Sequence, residues 1–264
     1  MQNSIRSRLK SALLRYTIAP LLLCGGLLIW QSYVVQHAQA VQLQHTIAQL
    51  AVIHVTDFIA KLENELRITI QMQDFVTQDS DARYTTLSKL LLSNPIYTQL
   101  ALLHGTGKEL VRISRTDALT ATDLKNRMQD AEFIIPARSG KTYFGPVLID
   151  EITGEPLMTI AVPVINVRTG LVAHILVADI RLRQVWEQIA GIDVGEAGSI
   201  YIVDQQGRLL AHHNPSLVLR GTYVALPTAT GIQKGLADHL NLLVSETFGL
   251  GEQSLTIITE RALV

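Results

Sequence analysis

The period of the hydrophobic pattern changes several times along the chain, and each change marks an element. Residues 16–35, YTIAPLLLCGGLLIWQSYVV, carry no charge. At about 1.5 Å per residue, a helix of that length just spans a bilayer core of about 30 Å. From about Gln36 to Gln73 there is no Gly or Pro, and Leu43, Ile47, Leu50, Ala51, Val55, Phe58, Leu62 and Leu66 recur at spacings of three and four. That spacing predicts one apolar stripe on a long helix. A helix of roughly 35 residues runs about 50 Å, too long for one small domain to cover. It is therefore expected to act as a stalk that packs on two modules and meets a second copy of the chain. Asp79-Ser80-Asp81 offers an N-cap for a second helix over 82–92, which Asn94-Pro95 ends.

The period then falls to two. Leu100–Arg112 reads LALLHGTGKELVR and Ile200–His212 reads IYIVDQQGRLLAH. Laid side by side without a gap, both give four apolar residues, one polar residue, a short turn, Gly-basic and a second apolar strand. A hairpin made twice predicts one small module built twice in tandem. Gly105 and Gly107 are expected to supply the positive φ of the first turn. Residues 114–141 read as loop and short helix. Strands follow at Thr142–Ile149, Pro156–Asn166 and Leu171–Ile180, a meander that with the first hairpin makes a five-stranded sheet. Arg181–Ile189 reads as a connecting helix with Leu182, Val185, Trp186 and Ile189 on one face. After the second hairpin, Thr230–Ala237 reads as a weak helix or turn. Asn241–Thr247 and Gln253–Glu260 are strands joined at 248–252, giving the second module about four. The fold class is α+β: an N-terminal transmembrane helix, a long stalk helix and two tandem modules, each with an antiparallel sheet.

Charge orients this arrangement. Arg6, Arg8, Lys10 and Arg15 precede the uncharged run, and no acidic residue occurs before Asp57. This asymmetry predicts a cytoplasmic N-terminus and an exported remainder. Cleavage after Ala38-Gln39-Ala40 is the competing reading and predicts a chain starting at Val41. The length of the uncharged run, and Trp30 and Tyr33 as interfacial aromatics, favour a retained anchor. With 48% hydrophobic and 17% charged residues the chain is not disordered. Without the four leader cations the exported part carries a net charge of −5, so nothing points to nucleic acid. The one cysteine, Cys24, lies in the membrane run, so no disulfide staples the exported part.

Four segments carry a resemblance. TYFGPVLID (Thr142–Asp150), GEPLMTIAVPV (Gly154–Val164), LVADIRLRQVW (Leu176–Trp186) and VGEAGSIYIVDQQGRLLAHHNPSLVLRGT (Val194–Thr222), in this order and spacing, resemble bacterial double Cache sensory domains. The resemblance runs from about Gln36 to Arg261. It implies two PAS-like modules in the extracytoplasmic part of a membrane-bound sensor histidine kinase, nucleotide cyclase or diguanylate cyclase. The segments then assign a basic cytoplasmic N-terminus (1–15), a transmembrane helix (16–35), a stalk helix (36–74), a membrane-distal module (75–189) and a membrane-proximal module (190–264). A second membrane crossing and an output domain are expected beyond residue 264. Such a chain sits in the bacterial inner membrane by a single N-terminal anchor, with its sensory region in the periplasm. It binds a small molecule in the distal module and signals through the long helix, as a homodimer. The alternative is a cleaved periplasmic binding protein without signalling output.

Candidate chemistry is sparse. Ser139-Gly140-Lys141-Thr142 ends like a phosphate loop, but Ile135 stands where the first glycine is needed and Pro136 removes a donor. His212-His213 are adjacent on a strand, where side chains alternate between faces, so they are not expected to share a metal ion. No catalytic constellation, metal site or cofactor motif is read in this chain. What remains is a ligand site: Arg112 and Arg115 in LVRISR, Tyr143 and Phe144 on the meander, and Asp179 in VADI. Arg112 and Tyr143 are expected on one sheet surface, where a guanidinium suits a planar carboxylate; pairing of Arg112 with Asp179 inside the module is the other reading. One amino-acid-sensing subclass of the family uses an Arg-x-Trp-Tyr run for the ligand carboxylate and an Asp at the end of the last distal strand for its amine. Asp179 matches that Asp, whereas the corresponding loop here holds Asp130-Ala131-Glu132-Phe133. The usual amino-acid geometry is thus incomplete, and an organic acid or an amino acid is the expected ligand class.

Overall fold

The computed structural model describes residues 19–72, 75, 77–117, 121–127, 131–150, 153–166, 168–194, 198–227, 229–236 and 238–262. The basic N-terminus, 1–15, and the first residues of the expected membrane span lie outside the described residues. The first helix, α1, is continuous over Ala19–Met72. The chain divides into two compact units, residues 1–46 and 47–264. In the first, Leu21, Leu28, Trp30 and Tyr33 are 63–74% exposed. A helical surface this apolar and this bare suits lipid, and α1 is long and apolar enough to cross a membrane by length and composition.

In the second unit α1 buries Ile47, Ala48, Ala51, Val55, Ile59, Leu62 and Leu66. The expected stripe is thus met at Ile47, Ala51, Val55, Leu62 and Leu66 and departs only along one edge. Leu43 and Leu50 are exposed and Phe58 is half-buried, while Ala48 and Ile59 take their places. A 3.6-residue period leaves two adjacent apolar stripes here, and the sheets cover only one of them. Helix α2, Ser80–Ser93, starts where expected: the Asp79 carboxylate accepts the Ala82 N–H at 2.9 Å. It stops before Asn94-Pro95.

The first sheet contains β1 (Tyr97–His104), β2 (Glu109–Ser114), β3 (Tyr143–Phe144), β4 (Leu148–Ile149), β5 (Pro156–Ile165) and β6 (Val172–Arg181). Its order is β2-β1-β6-β5-β3, with β4 also on β5, and all pairs are antiparallel. The expected strand Thr142–Ile149 is therefore two short strands. Pro146 has no N–H to donate, and the Val147 N–H leaves the ladder for Gln253 Oε1 at 2.7 Å. Helix α3, Ala131–Arg138, lies between the hairpin and β3. Helix α4, Arg183–Ala190, follows β6 and buries Val185, Trp186 and Ile189.

The second sheet contains β7 (Ser199–Val203), β8 (Leu209–His212), β9 (Gly231–Lys234), β10 (Leu240–Leu250) and β11 (Gln253–Ala262), in the order β8-β7-β11-β10-β9. This is the same arrangement as in the first sheet: hairpin, last strand, then the two strands before it. It has five strands rather than four, because Gly231–Lys234 pairs antiparallel with β10 where a helix or turn was expected. Its alternating half-buried and exposed positions carry too little apolar signal to reveal it. A short helix, α5 (Pro215–Leu219), is capped by Asn214, whose side chain accepts the Ser216 N–H.

The two repeat hairpins match in detail. Leu103 pairs with Glu109 and Val203 with Leu209, each after a register shift. Gly107 and Gly207 have φ of 97° and 80°. Gly105 does not adopt positive φ; it is small because a Cβ there would come within 2.9 Å of the Val172 carbonyl oxygen. One continuous core joins α1, α2 and α4 to the inner faces of both sheets, through residues such as Leu100, Leu102, Leu176, Ile200 and Ile257.

Candidate functional site

The side of the first sheet turned away from that core is half apolar and half polar. In the apolar half, Ile134 and Ala137 of α3 cover Ala101, Leu103, Tyr143, Ala161, Ile175 and Val177. In the polar half, a chain of three hydrogen bonds crosses four adjacent strands. Thr159 Oγ1 of β5 donates to Asp179 Oδ1 of β6 at 2.7 Å. Gln99 Nε2 of β1 donates to Asp179 Oδ2 at 2.8 Å. Arg112 Nε of β2 donates to Gln99 Oε1 at 2.9 Å. Register explains the row: Gln99 and Thr159 both stand opposite Asp179, and Arg112 stands opposite Ala101, the next outward position on β1. Arg112 is half-buried, and its terminal guanidinium nitrogens have no partner among the described residues. A cavity of about 150 Å³ opens beside the row, lined by Gln99, Ser114, Asp117, Asp179 and Arg181.

The five expected ligand residues divide accordingly. Arg112, Tyr143 and Asp179 share the outer face of the first sheet. Arg112 reaches Asp179 only through Gln99, so the expected direct pair is replaced by a relay. Arg115 lies past the end of β2 and turns to the end of α2. Its Nε donates to the Tyr97 carbonyl at 2.8 Å, and a terminal nitrogen donates to the Asn94 carbonyl at 3.0 Å and to that of Leu91. It thereby satisfies carbonyls that a helix terminus leaves open. Phe144 follows Tyr143 on β3 and points the other way, against the shared core. Asp130 lies outside the described residues, as do the side chains of Ala131, Glu132 and Phe133. Sequence reasoning missed Gln99 and Thr159. Each is a polar residue at an outward position of an otherwise apolar strand, which becomes a signal once the register to Asp179 is known.

The second sheet carries a counterpart with different chemistry. Glu260 stands opposite Ser199 as Asp179 stands opposite Gln99. Its carboxylate accepts from Ser199 Oγ at 3.0 Å, Tyr201 Oη at 3.3 Å and the Leu236 N–H at 2.9 Å. Burial first, then the Glu260 charge, push the Tyr201 phenol well above its ordinary range, so it stays a donor. His212, at the place of Arg112, stands opposite Tyr201 with ring centroids 6.0 Å apart. His212 and His213 do not diverge as expected. β8 ends at His212, so alternation no longer applies, and the two rings lie 4.2 Å apart. Among the described residues no group of three or more His, Cys, Asp or Glu is placed to hold a metal ion.

Two antiparallel sheets of one strand order, raised in tandem on a long helix, define a class of α+β protein. The match to a Cache domain model over residues 35–260 makes it specific: the chain belongs to the Cache domain family, in its double form. Solved structures share the fold. The ligand-binding domain of the Campylobacter jejuni chemoreceptor Tlp3 in complex with L-valine is 15% identical, with a TM-score of 0.64 over 87% of this chain and 95% of that one. The ligand-binding domain of the Pseudomonas fluorescens chemoreceptor CtaA in complex with L-isoleucine is 16% identical, with a TM-score of 0.60 over 87% and 94%. That of the Pseudomonas aeruginosa amino acid chemoreceptor PctC in complex with GABA is 14% identical, with a TM-score of 0.59 over 83% and 99%. No curated protein matches the chain.

Proposed function

We propose that this chain is the ligand-sensing region of a bacterial transmembrane receptor, anchored by residues 16–35. Its membrane-distal module (75–189) binds a small carboxylate ligand, and its proximal module (190–264) couples that event to the membrane. The observation that carries the reading is the open guanidinium of Arg112 beside the Gln99–Asp179 relay. Two terminal nitrogens without a partner among the described residues suit a carboxylate, and Asp179, one residue away along the row, suits an amine or hydroxyl. The ligand class is therefore an organic acid or an amino acid, and the structural relatives were crystallised with amino acids or GABA.

A route to the helix supports the signalling half of the reading. Two residues before Gln99 on β1, the Tyr97 hydroxyl donates to Glu65 Oε2 of α1 at 3.1 Å, and Asn94 Nδ2 donates to the same oxygen at 3.0 Å. A shift of β1 on ligand binding bears directly on α1, which biases a two-state element. Pairing of two copies along α1 completes the proposal as a homodimer.

Thermal-shift screening of the chain against organic acids and amino acids tests it. A stabilising ligand is expected, and Arg112→Ala should abolish the shift while leaving the ligand-free melting temperature nearly unchanged. A shift that survives in Arg112→Ala removes Arg112 as the anchor. Mass spectrometry of the mature N-terminus tests the anchor: a chain starting at Val41 overturns the receptor reading in favour of a free periplasmic binder.

A further inference from the structure

The short segment from Tyr143 to Ile149 touches three separate apolar clusters. Tyr143 lies under α3 on the outer face of the first sheet. Phe144 and Val147 join the core that both sheets share. Ile149 packs against the outer cluster of the second sheet, which contains Tyr201, Val203 and Ile258. Pro146 makes this path possible. Without an N–H it ends the pairing between β3 and β4, and the chain turns a corner there.

Hydrogen bonds fix both arms of the corner. Toward the first sheet, the Gly145 N–H donates to the Thr159 carbonyl at 2.8 Å, and Thr159 Oγ1 is the donor that binds Asp179 in the polar row. A Cβ on Gly145 would lie 3.3 Å from that same carbonyl oxygen, so the corner sits hard against β5. Toward the second sheet, the Val147 N–H donates at 2.7 Å to Oε1 of Gln253, the residue that opens β11. Val147 is buried, so loss of that acceptor strands a backbone donor. A Cβ on Gly251, in the turn between β10 and β11, would run into the Phe144 carbonyl oxygen. Both sides of that contact are backbone, so the turn and the corner cannot slide past each other.

We propose that this corner is a latch that couples the polar row of the first sheet to the β10–β11 turn of the second. Its links are Asp179, Thr159, Gly145, Val147 and Gln253, and none of them lies on α1. A displacement of Asp179 moves Thr159, the Gly145 backbone follows, and the Val147 N–H carries the shift to Gln253. As a route for a ligand signal the latch rests on the sensory function proposed above. As a mechanical coupling between the sheets it stands without a ligand.

Hydrogen–deuterium exchange on the full chain in lipid nanodiscs, with no ligand added, tests the coupling apart from sensing. Thr159→Val takes the hydroxyl away from Asp179 and keeps nearly the same shape. The amides of residues 249–254 should then exchange about fivefold faster, the worth of one hydrogen bond. Those of β9, at the far edge of the same sheet, should stay within about twofold. In Gln253→Leu, which strips Val147 of its acceptor, the turn should already exchange fast, and adding Thr159→Val should change it by less than about twofold. Gln253→Glu keeps an acceptor and should restore the response to Thr159→Val. Should either variant fail to fold, Thr159→Ala or Gln253→Ala carries the same comparison. A turn that ignores the Thr159 substitution, an equal rise in β9, or a Thr159 effect that survives in full without the Gln253 acceptor overturns the proposal.

Discussion

Asp179 and Glu260 hold the same place in the two sheets, each opposite the residue that opens the repeat hairpin, Gln99 or Ser199. What surrounds them differs. Asp179 is one link in a row that ends at an open guanidinium. Glu260 is closed over: it takes donors from Ser199, Tyr201 and the Leu236 backbone, and a Cβ on Gly235 would approach its Oε2 to 2.3 Å. One carboxylate ties three strands of its sheet together, and the other fastens a loop to its own sheet. Glu260→Leu leaves the Leu236 N–H and the Tyr201 hydroxyl without an acceptor and should destabilise the chain by about 2–4 kcal/mol. Tyr201→Phe removes a single donor and should cost about 1 kcal/mol. Urea unfolding midpoints check both, and neither substitution should alter ligand-induced thermal shifts.

Arg112 and Arg115 sit three residues apart and are expected to fail in opposite ways. Arg115 donates to the Tyr97, Asn94 and Leu91 carbonyls, so Arg115→Ala reopens the end of α2 and should lower stability by about 2 kcal/mol. Arg112→Ala loses one hydrogen bond to Gln99 and should cost about 1 kcal/mol or less. For ligand affinity the order reverses. Arg112→Ala should weaken binding by about two orders of magnitude, the worth of a charge-assisted pair, while Arg115→Ala leaves it within about threefold. Calorimetric titration beside thermal melting separates the two, and a loss of affinity in Arg115→Ala would contradict the placement of its guanidinium.

The turn glycines allow a graded test. Gly207 has φ of 80°, and a Cβ there would lie 2.2 Å from the Val224 carbonyl oxygen. That atom is backbone, held in place because the Val224 N–H donates to the Gly207 carbonyl at 2.8 Å. Gly207→Ala must therefore shift the Tyr223–Val224 segment as well as accept the φ penalty, and about 2–4 kcal/mol is expected. Gly140 has nearly the same φ, 81°, with nothing within 4 Å of its Cβ position. Gly140→Ala should cost about 1 kcal/mol, the conformational term alone. Equal unfolding midpoints for the two would show that φ, and not the approach of residue 224, decides.

The fold was legible in the sequence where periodicity is local. The Asp79 cap, the Asn94-Pro95 stop, the helix face of Val185, Trp186 and Ile189, and both hairpins follow from spacings of two to four. What escaped depends on pairing. Gly231–Lys234 is a strand only because β10 lies beside it, and the Glu260 cluster draws on residues up to 61 positions apart. The stripe of α1 was legible at Ile47, Ala51, Val55, Leu62 and Leu66; only its edge, where Ala48 and Ile59 are buried and Leu43 and Leu50 are not, is chosen by the sheets. The polar row on the first sheet was half legible: Arg112 and Asp179 announce themselves as charges in largely apolar strands, whereas Gln99 and Thr159 acquire meaning only from register.

His174 predicts a pH window. It lies on β6 opposite His104 of β1, with the rings edge-on at 5.9 Å. It is 7% exposed, and its Nδ1 has no partner among the described residues. Burial first, then the charges of Arg83 and His104, lower its pKa from 6.5 to about 4. Between those two values the unfolded chain binds a proton that the folded chain does not. Stability therefore rises with pH across this window: it is fully present above about 6.5 and is lost as pH falls toward about 4, up to about 3 kcal/mol. His174→Leu removes the titrating ring from this buried position. Urea unfolding at pH 7.0, 5.5 and 4.5 (about two points inside the window and one above it) should show wild type losing more stability than His174→Leu as the pH is lowered. A difference between the two proteins that stays constant with pH would mean that His174 is charged in the fold.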